Sequence, residues 1–448
     1  MNTTKMFISR AGGILRVCHR HYVIGAGSKT ALCGPVRPTH HNILTRNWRC
    51  LSTRVAYGIQ VTNDGKEVDV FWDNENKSRF HASWLRHNCK CDQCYNKDSG
   101  QSTIYVHELP MEIHLEDVKI TDDGHLSVRF KEEDHTGTFP PGFLQEHSYS
   151  NGHLALKKQA TKINPEHVGV VPEVQWSDVR DSEESLYQCL KNINEHGLCM
   201  VRNGSIDGKL VEKFALKIGP IWDNTYGAVW DVKSQKTPTN FGYTNKEMQY
   251  HMDLPFYQAM PGIEFLHCLR FDATVEGGQT LFLDITDIAE NFRKDHPEEF
   301  NILATIPFTF ARVHNDRDYP INMVIRRPII QLNREHEVVA VFWNPTVTGA
   351  LQAEENEVES FYKAYQLFAK QLYSCQDKEM VVRLQPGEIV IWNNRRLVHR
   401  RNAFHGDGDR HFRGVYIDIC EYKSRLSILS QKYGDGSSIK RVGNGDWF

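Results

Sequence analysis

Apolar positions in residues 60–160 recur at a period of two in short runs such as Val68-Asp-Val-Phe-Trp72 and Leu126-Ser-Val-Arg-Phe130, with Asn, Asp and Gly between them. That alternation predicts half-buried strands of a small sheet. Phe80-His-Ala-Ser-Trp-Leu85, after the first run, echoes Phe139-Pro-Pro-Gly-Phe-Leu144, after the second, so the segment reads as a duplicated strand unit. Residues 149–173 are polar with few periodic apolar positions and read as a linker. From Ser182 the spacing turns helical (Leu186, Cys189, Leu190, Ile193), and Leu198-Cys-Met-Val-Arg202 follows as a buried strand. Further strands are expected at 265–269, 280–283, 329–332, 338–343, 388–392 and 414–419, with a helix over 354–373. Many short strands joined by loops suit a mainly β fold: a double-stranded β-helix, or jelly roll, with flanking helices, preceded by a small β domain.

Length and charge change this picture only at the ends. A chain of 448 residues exceeds one ordinary core. A net charge of -3 gives no basic surplus for nucleic acid, and no apolar run reaches the roughly 18 residues a membrane span needs. The first 63 residues hold nine Lys or Arg and no Asp or Glu. Such a stretch has the composition of an organellar presequence, so residues 1–55 are set apart from the fold, with cleavage between Arg49 and Arg54. The mitochondrial matrix is then the expected compartment; a basic tail without an address would leave the protein in the cytoplasm. The sequence does not fix the oligomeric state and admits a homodimer.

Two clusters carry chemistry. Cys89-Lys-Cys91-Asp-Gln-Cys94 places three thiols within six residues, a spacing that lets one turn wrap three sulfurs around a zinc ion. The fourth ligand is His107 or His135, which spacing does not decide, and a closed four-ligand site is structural. The second cluster is built on Tyr250-His251-Met252-Asp253-Leu254-Pro255. It is one of five His-x-acid triplets, where 22 His and 56 acids in 448 residues give about three by chance. His296 lies in a charged run that reads as a solvated helix end, and His405 lies in a Gly/Asp loop. His251 instead stands at the mouth of a strand before an apolar run, where rigid scaffold meets an open site. With distal His399 it supplies two imidazoles and a carboxylate, the facial set of a non-haem Fe(II) oxygenase. Arg410 follows eleven residues after His399.

The chain resembles the gamma-butyrobetaine dioxygenase family across residues 60–435. The segments that carry the resemblance are Trp84-Leu-Arg-His-Asn-Cys-Lys-Cys-Asp-Gln-Cys-Tyr95, Tyr226-Gly-Ala-Val-Trp230, His251-Met-Asp-Leu-Pro255, Gly277-Gly-Gln-Thr280, Asn394-Arg-Arg-Leu-Val-His399 and Arg410-His-Phe-Arg-Gly-Val-Tyr416. The resemblance implies Fe(II) on His251, Asp253 and His399, with 2-oxoglutarate and O2 as cosubstrates and ascorbate as reductant. It selects His135 as the fourth zinc ligand. It gives Arg410 the distal carboxylate of 2-oxoglutarate, a planar fork being the best partner for that group, with Thr280 adding a hydroxyl. Tyr226, Trp230, Tyr243 and Tyr416 match an aromatic cage for a small trimethylammonium substrate, which has no N–H to donate and is recognised through ring faces. Asn240 and Asn344 are candidates to orient that substrate. The implied organisation is a zinc-binding domain over 60–160 and an oxygenase domain over 170–448.

The implied reaction is hydroxylation of gamma-butyrobetaine to L-carnitine with release of succinate and CO2. Trimethyllysine hydroxylation is the alternative, favoured by the presequence and disfavoured by the thiol cluster. A zinc-stabilised binding protein with an inactive jelly roll is the reading from another class, against which the intact His251, Asp253, His399 and Arg410 stand. Arg400-Arg401 puts a second positive pair beside His399, with no role derivable from sequence.

Overall fold

A computed structural model describes residues 56–72, 77–233, 241–316, 319–436, 439–440 and 443. The expected presequence and Asn240 lie outside the described residues.

The expected duplication is present in residues 56–146. Ala56–Thr62, Glu67–Trp72 and Lys77–His81 form an antiparallel meander followed by the helix Ala82–His87. Leu115–Ile120, Leu126–Phe130 and His135–Phe139 repeat it, followed by the helix Pro141–Glu146. The inward positions of both, among them Val68, Val70, Phe80, Leu126, Val128 and Phe130, merge into one apolar core. Arg86 of the first helix reaches across to Glu133 with paired bonds of 2.6 and 3.1 Å, tying the repeats together.

Residues 149–173 are not simply a linker. They contain the helix Asn151–Thr161, none of whose residues is buried, so no apolar stripe announces it.

The rest of the described chain builds the jelly roll. A six-stranded sheet runs in the order Trp230–Lys233, Arg410–Ile417, Ile263–Phe271, Ile389–Asn393, Leu198–Arg202, Glu173–Gln175. Facing it is a four-stranded sheet in the order Met248–His251, Leu397–Arg401, Thr280–Asp284, Met380–Val382. Leu266, Cys268, Phe282, Val390, Trp392 and Phe412 fill the space between them. The outer face of the larger sheet is covered by Glu183–His196 and Ile419–Tyr433. The first of these helices is capped by Ser182, which accepts from the Ser185 amide, and ends at Gly197 with φ 86°, the left-handed turn that glycine adopts without cost. The expected strand over 414–419 instead starts at Arg410 and stops at Ile417, because the Asp418 side chain accepts from the Cys420 amide and opens a helix. Beyond the smaller sheet, Ile285–Asp295, Pro297–Thr305 and Val358–Ser374 pack as a helical layer. His296 sits at the junction of the first two, as its charged surroundings suggest. Among the described residues no helix is long and apolar enough to cross a membrane.

Candidate active site

Strand pairing sets the first half of the site. Met248–His251 runs antiparallel to Leu397–Arg401 with His251 opposite His399, and directly opposed residues project to the same face. The two imidazole centroids are therefore 4.1 Å apart. Asp253 enters from the loop that follows, its Oδ1 at 3.4 Å from His251 Nε2. One donor atom from each of the three lies within 4.8 Å of the others, an arrangement that could hold a metal ion.

The loop bearing Asp253 is clamped on both sides. Asn394 accepts from the Asp253 amide at 2.8 Å and donates to the Asp253 carbonyl at 3.0 Å. The Met252 amide donates to the Trp343 carbonyl at 2.7 Å, and Asn344 donates to the Met252 carbonyl at 2.9 Å. These bonds hold Leu254 at φ 57°, a conformation uncommon for a side chain of this kind and one that turns the chain sharply after Asp253. Asn344 thus braces the loop from below. Its carbonyl oxygen is taken by the amide and hydroxyl of Thr346, at 3.0 and 2.7 Å.

Protonation states suit metal binding. His251 Nδ1 lies 2.8 Å from the Gln249 carbonyl, a contact that turns Nε2 toward Asp253. Burial, with the neighbouring His251 adding to it, pulls His399 down to about 3, so this imidazole is neutral and its lone pair available. Burial opposes ionisation of Asp253, but His251, His399 and Tyr416 outweigh it and hold the carboxyl well below its usual range. The Tyr416 hydroxyl donates to Asp253 Oδ2. Glu264 lies against the same carboxylate; burial and the Asp253 charge push it well up, so it is a neutral acid. Sequence reading missed Glu264. Its signal was there, an acid inside the apolar run 262–269, where an unpaired charge would be costly.

Alternation along Arg410–Ile417 places Arg410, Phe412, Gly414 and Tyr416 on one face. Arg410 is buried among Phe271, Phe404 and Phe412, with its guanidinium 4.0 Å from the Phe412 centroid. Its one described hydrogen bond goes to the Gly278 carbonyl at 3.4 Å, and Nε has no partner among the described residues. Burial, with Arg401 and Arg383 repelling it, brings this guanidinium down to about 9. A buried guanidinium with so few partners among the described residues can take up an anion, and the carboxylate of 2-oxoglutarate fits. Thr280 opens the strand after the Gly277-Gly278 turn and stands opposite Arg401.

At the other end of this face the Trp230 ring lies 5.2 Å from that of Tyr416, tilted by 32°. It lies so close to Gly414 that a Cβ there would be 2.2 Å from the indole; only glycine leaves room. Tyr226 packs, partly buried, against the same core cluster as Trp230 and Tyr416. Tyr243 ends the short turn Phe241–Tyr243 just before the His251 strand.

In the duplicated region Cys89, Cys91, Cys94 and His135 come together. The three sulfurs lie 3.4, 3.8 and 3.5 Å from His135 Nε2. The sulfur–nitrogen edge of a tetrahedral zinc site is about 3.5 Å from ordinary bond lengths, so the cluster fits zinc. His107 is in the 3-10 turn Val106–Glu108, exposed and beside Glu108.

The family model described as "Taurine catabolism dioxygenase TauD, TfdA family" matches residues 157–416, more than half of the chain. The one described as "Gamma-butyrobetaine hydroxylase-like, N-terminal" matches residues 59–145. The gamma-butyrobetaine dioxygenase of Pseudomonas sp. (strain AK-1) is 30% identical over 370 residues, covering 81% of this chain and 94% of its own. The trimethyllysine dioxygenase of Meyerozyma guilliermondii is 28% identical over 389 residues, covering 83% and 96%. The mitochondrial trimethyllysine dioxygenase of Bos taurus is 25% identical over 434 residues, covering 92% and 99%.

Proposed function

We propose that this chain, which belongs to the TauD, TfdA dioxygenase family and is a 2-oxoglutarate-dependent dioxygenase, hydroxylates gamma-butyrobetaine to L-carnitine. The observation that carries the reading is the Trp230–Tyr416 pair, which sets two aromatic faces beside Asp253 through the Tyr416 hydroxyl. A trimethylammonium group is held by such faces and not by hydrogen bonds. His251, Asp253 and His399 would hold Fe(II), kept reduced by ascorbate. Iron bound there supplies O2 activation, coupling decarboxylation of 2-oxoglutarate to succinate and CO2 with insertion of one oxygen atom into a substrate C–H bond.

The protein's own residues do the positioning. Arg410 grips the distal carboxylate of 2-oxoglutarate in a pocket walled by Phe271, Phe404 and Phe412, where low dielectric strengthens the pair. Tyr416 and Glu264 fix the Asp253 carboxylate from two sides, while Asn394 and Asn344 fix its backbone. Tyr226, Trp230, Tyr243 and Tyr416 receive the substrate cation, with Asn240 orienting the molecule. Cys89, Cys91, Cys94 and His135 hold a structural zinc. The acid-free N-terminal stretch directs the protein to the mitochondrial matrix.

Trimethyllysine is the second reading, because the Meyerozyma and Bos taurus relatives carry that name at similar identity. The three-thiol cluster favours butyrobetaine. Offering both substrates in competition with Fe(II), ascorbate and 2-oxoglutarate, and weighing the products by mass spectrometry, tests the choice. A product heavier by one oxygen on butyrobetaine is expected; oxygen on trimethyllysine alone overturns the assignment.

A further inference from the structure

The Arg400-Arg401 pair beside His399 divides between the two faces of its strand. Arg400 turns outward, over the Tyr250 ring, and binds Glu379 through two bonds of 2.6 and 3.0 Å. Arg401 projects to the same face as His399, two residues away, and is buried. Among the described residues its guanidinium meets no carboxylate. It donates instead to three backbone carbonyls, Gly242 at 2.8 Å, Thr244 at 2.7 Å and Lys246 at 2.7 Å.

Those carbonyls flank Tyr243 and belong to the stretch just ahead of the His251 strand. The register explains why a side chain is needed. Met248 is opposite Arg401, the last residue of its strand, so ladder pairing with this strand ends at Met248. Residues 242–246 lie beyond that end. From the far side of Arg401 the Phe404 amide donates to the Asn245 carbonyl at 3.1 Å. One planar fork with several fixed donors can gather three carbonyls from a curved stretch; an ammonium cannot do so in the same geometry.

We propose that Arg401 is a positioning residue that anchors the Tyr243 segment to the strand bearing His399, so that one side chain sets the distance between the substrate's cation site and the metal site. The inference rests on the reading of Tyr243 as part of a trimethylammonium cage. It makes a prediction that a purely structural role would not: loss of Arg401 harms substrate binding far more than cosubstrate binding, and does so through Tyr243.

The test is steady-state kinetics on the full chain with Arg401→Lys, Arg401→Gln, Tyr243→Ala and the double variant Arg401→Lys/Tyr243→Ala. Misplacement of a binding group by a small distance costs on the order of 10- to 100-fold. The KM for gamma-butyrobetaine should rise by that factor in Arg401→Gln and by less in Arg401→Lys. The KM for 2-oxoglutarate should rise at least ten-fold less. Once Tyr243 is gone, Arg401→Lys should add little. An unmoved substrate KM, a parallel rise in both KM values, additive effects in the double variant, or loss of cooperative melting in Arg401→Lys would each overturn the inference. Wild-type succinate release keeps the underlying reading separate. None with either trimethylammonium substrate overturns that reading, whereas normal wild-type turnover with an unmoved KM in Arg401→Lys overturns this inference alone.

Discussion

The Tyr416 hydroxyl donates a hydrogen bond to the Asp253 carboxylate, so one side chain joins the proposed cation cage to the proposed metal site. Its ring faces Trp230 while its oxygen fixes the second oxygen of Asp253, leaving Oδ1 toward His251. Removing the hydroxyl should therefore separate the two roles. Tyr416→Phe is expected to weaken Fe(II) binding by about 10- to 100-fold, the usual effect of losing a partner that orients a ligand. The substrate KM should change much less, because the ring remains. Anaerobic Fe(II) titration beside steady-state kinetics checks both; an unchanged metal affinity would contradict the orienting role.

Gly414→Ala tests the cage from its back wall. The added Cβ would stand 2.2 Å from the Trp230 ring, so the indole has to leave its place. Overpacking of this kind costs about 1–3 kcal/mol of stability. A rise in substrate KM is expected along with it, while the KM for 2-oxoglutarate, whose proposed site at Arg410 is at the other end of the strand, stays within a few-fold. Kinetics for both substrates, with thermal melts alongside, decide the matter.

The two metal clusters should be separable. His251→Ala is expected to abolish turnover and leave zinc content unchanged. Cys91→Ser should lower zinc content and loosen residues 56–146, whose halves meet at the cluster. Metal analysis and limited proteolysis distinguish these outcomes. Zinc lost from His251→Ala, or retained at full level in Cys91→Ser, would contradict the assignment.

Acid stability offers a check on the first sheet. Bonds from Arg79 and Lys77 at 2.7 and 2.8 Å hold the Asp69 carboxyl at about 2. A carboxyl depressed in the folded state contributes stability that is fully present above its unfolded value, near 3.9, and is lost as pH falls through the folded value. Asp69→Asn should therefore be less stable than wild type at neutral pH, and the gap should close between about pH 4 and pH 2. Denaturant melts across that window measure it. A constant gap would mean that the charge is not what Asp69 contributes.

Much of this was legible in the sequence, for identifiable reasons. Strands with a period of two and a helix with clear apolar spacing, such as Glu183–His196, declare themselves through burial. The repeat was visible because Phe80 and Leu85 do in the first half what Phe139 and Leu144 do in the second, filling one shared core. The helix Asn151–Thr161 was not visible, since it buries no residue and so leaves no pattern. Glu264 stood out in the sequence only as an acid inside an apolar run; its role depends on burial against Asp253, which local sequence does not give. The bracing by Asn394 and Asn344 was equally out of reach, because a side chain bound to backbone 141 or 92 residues away has no local signature. Arg401 was noticed only as an odd charge, and its three carbonyl partners depend on where a strand ends.

The duplicated region carries a last consequence. All three thiols follow the first helix, whereas His135 opens the final strand of the second repeat, so neither copy owns a complete binding set. Neither repeat standing alone would have a tetrahedral site of this kind. An ion held there would therefore depend on the pairing of the two copies, and zinc content would report whether they have docked.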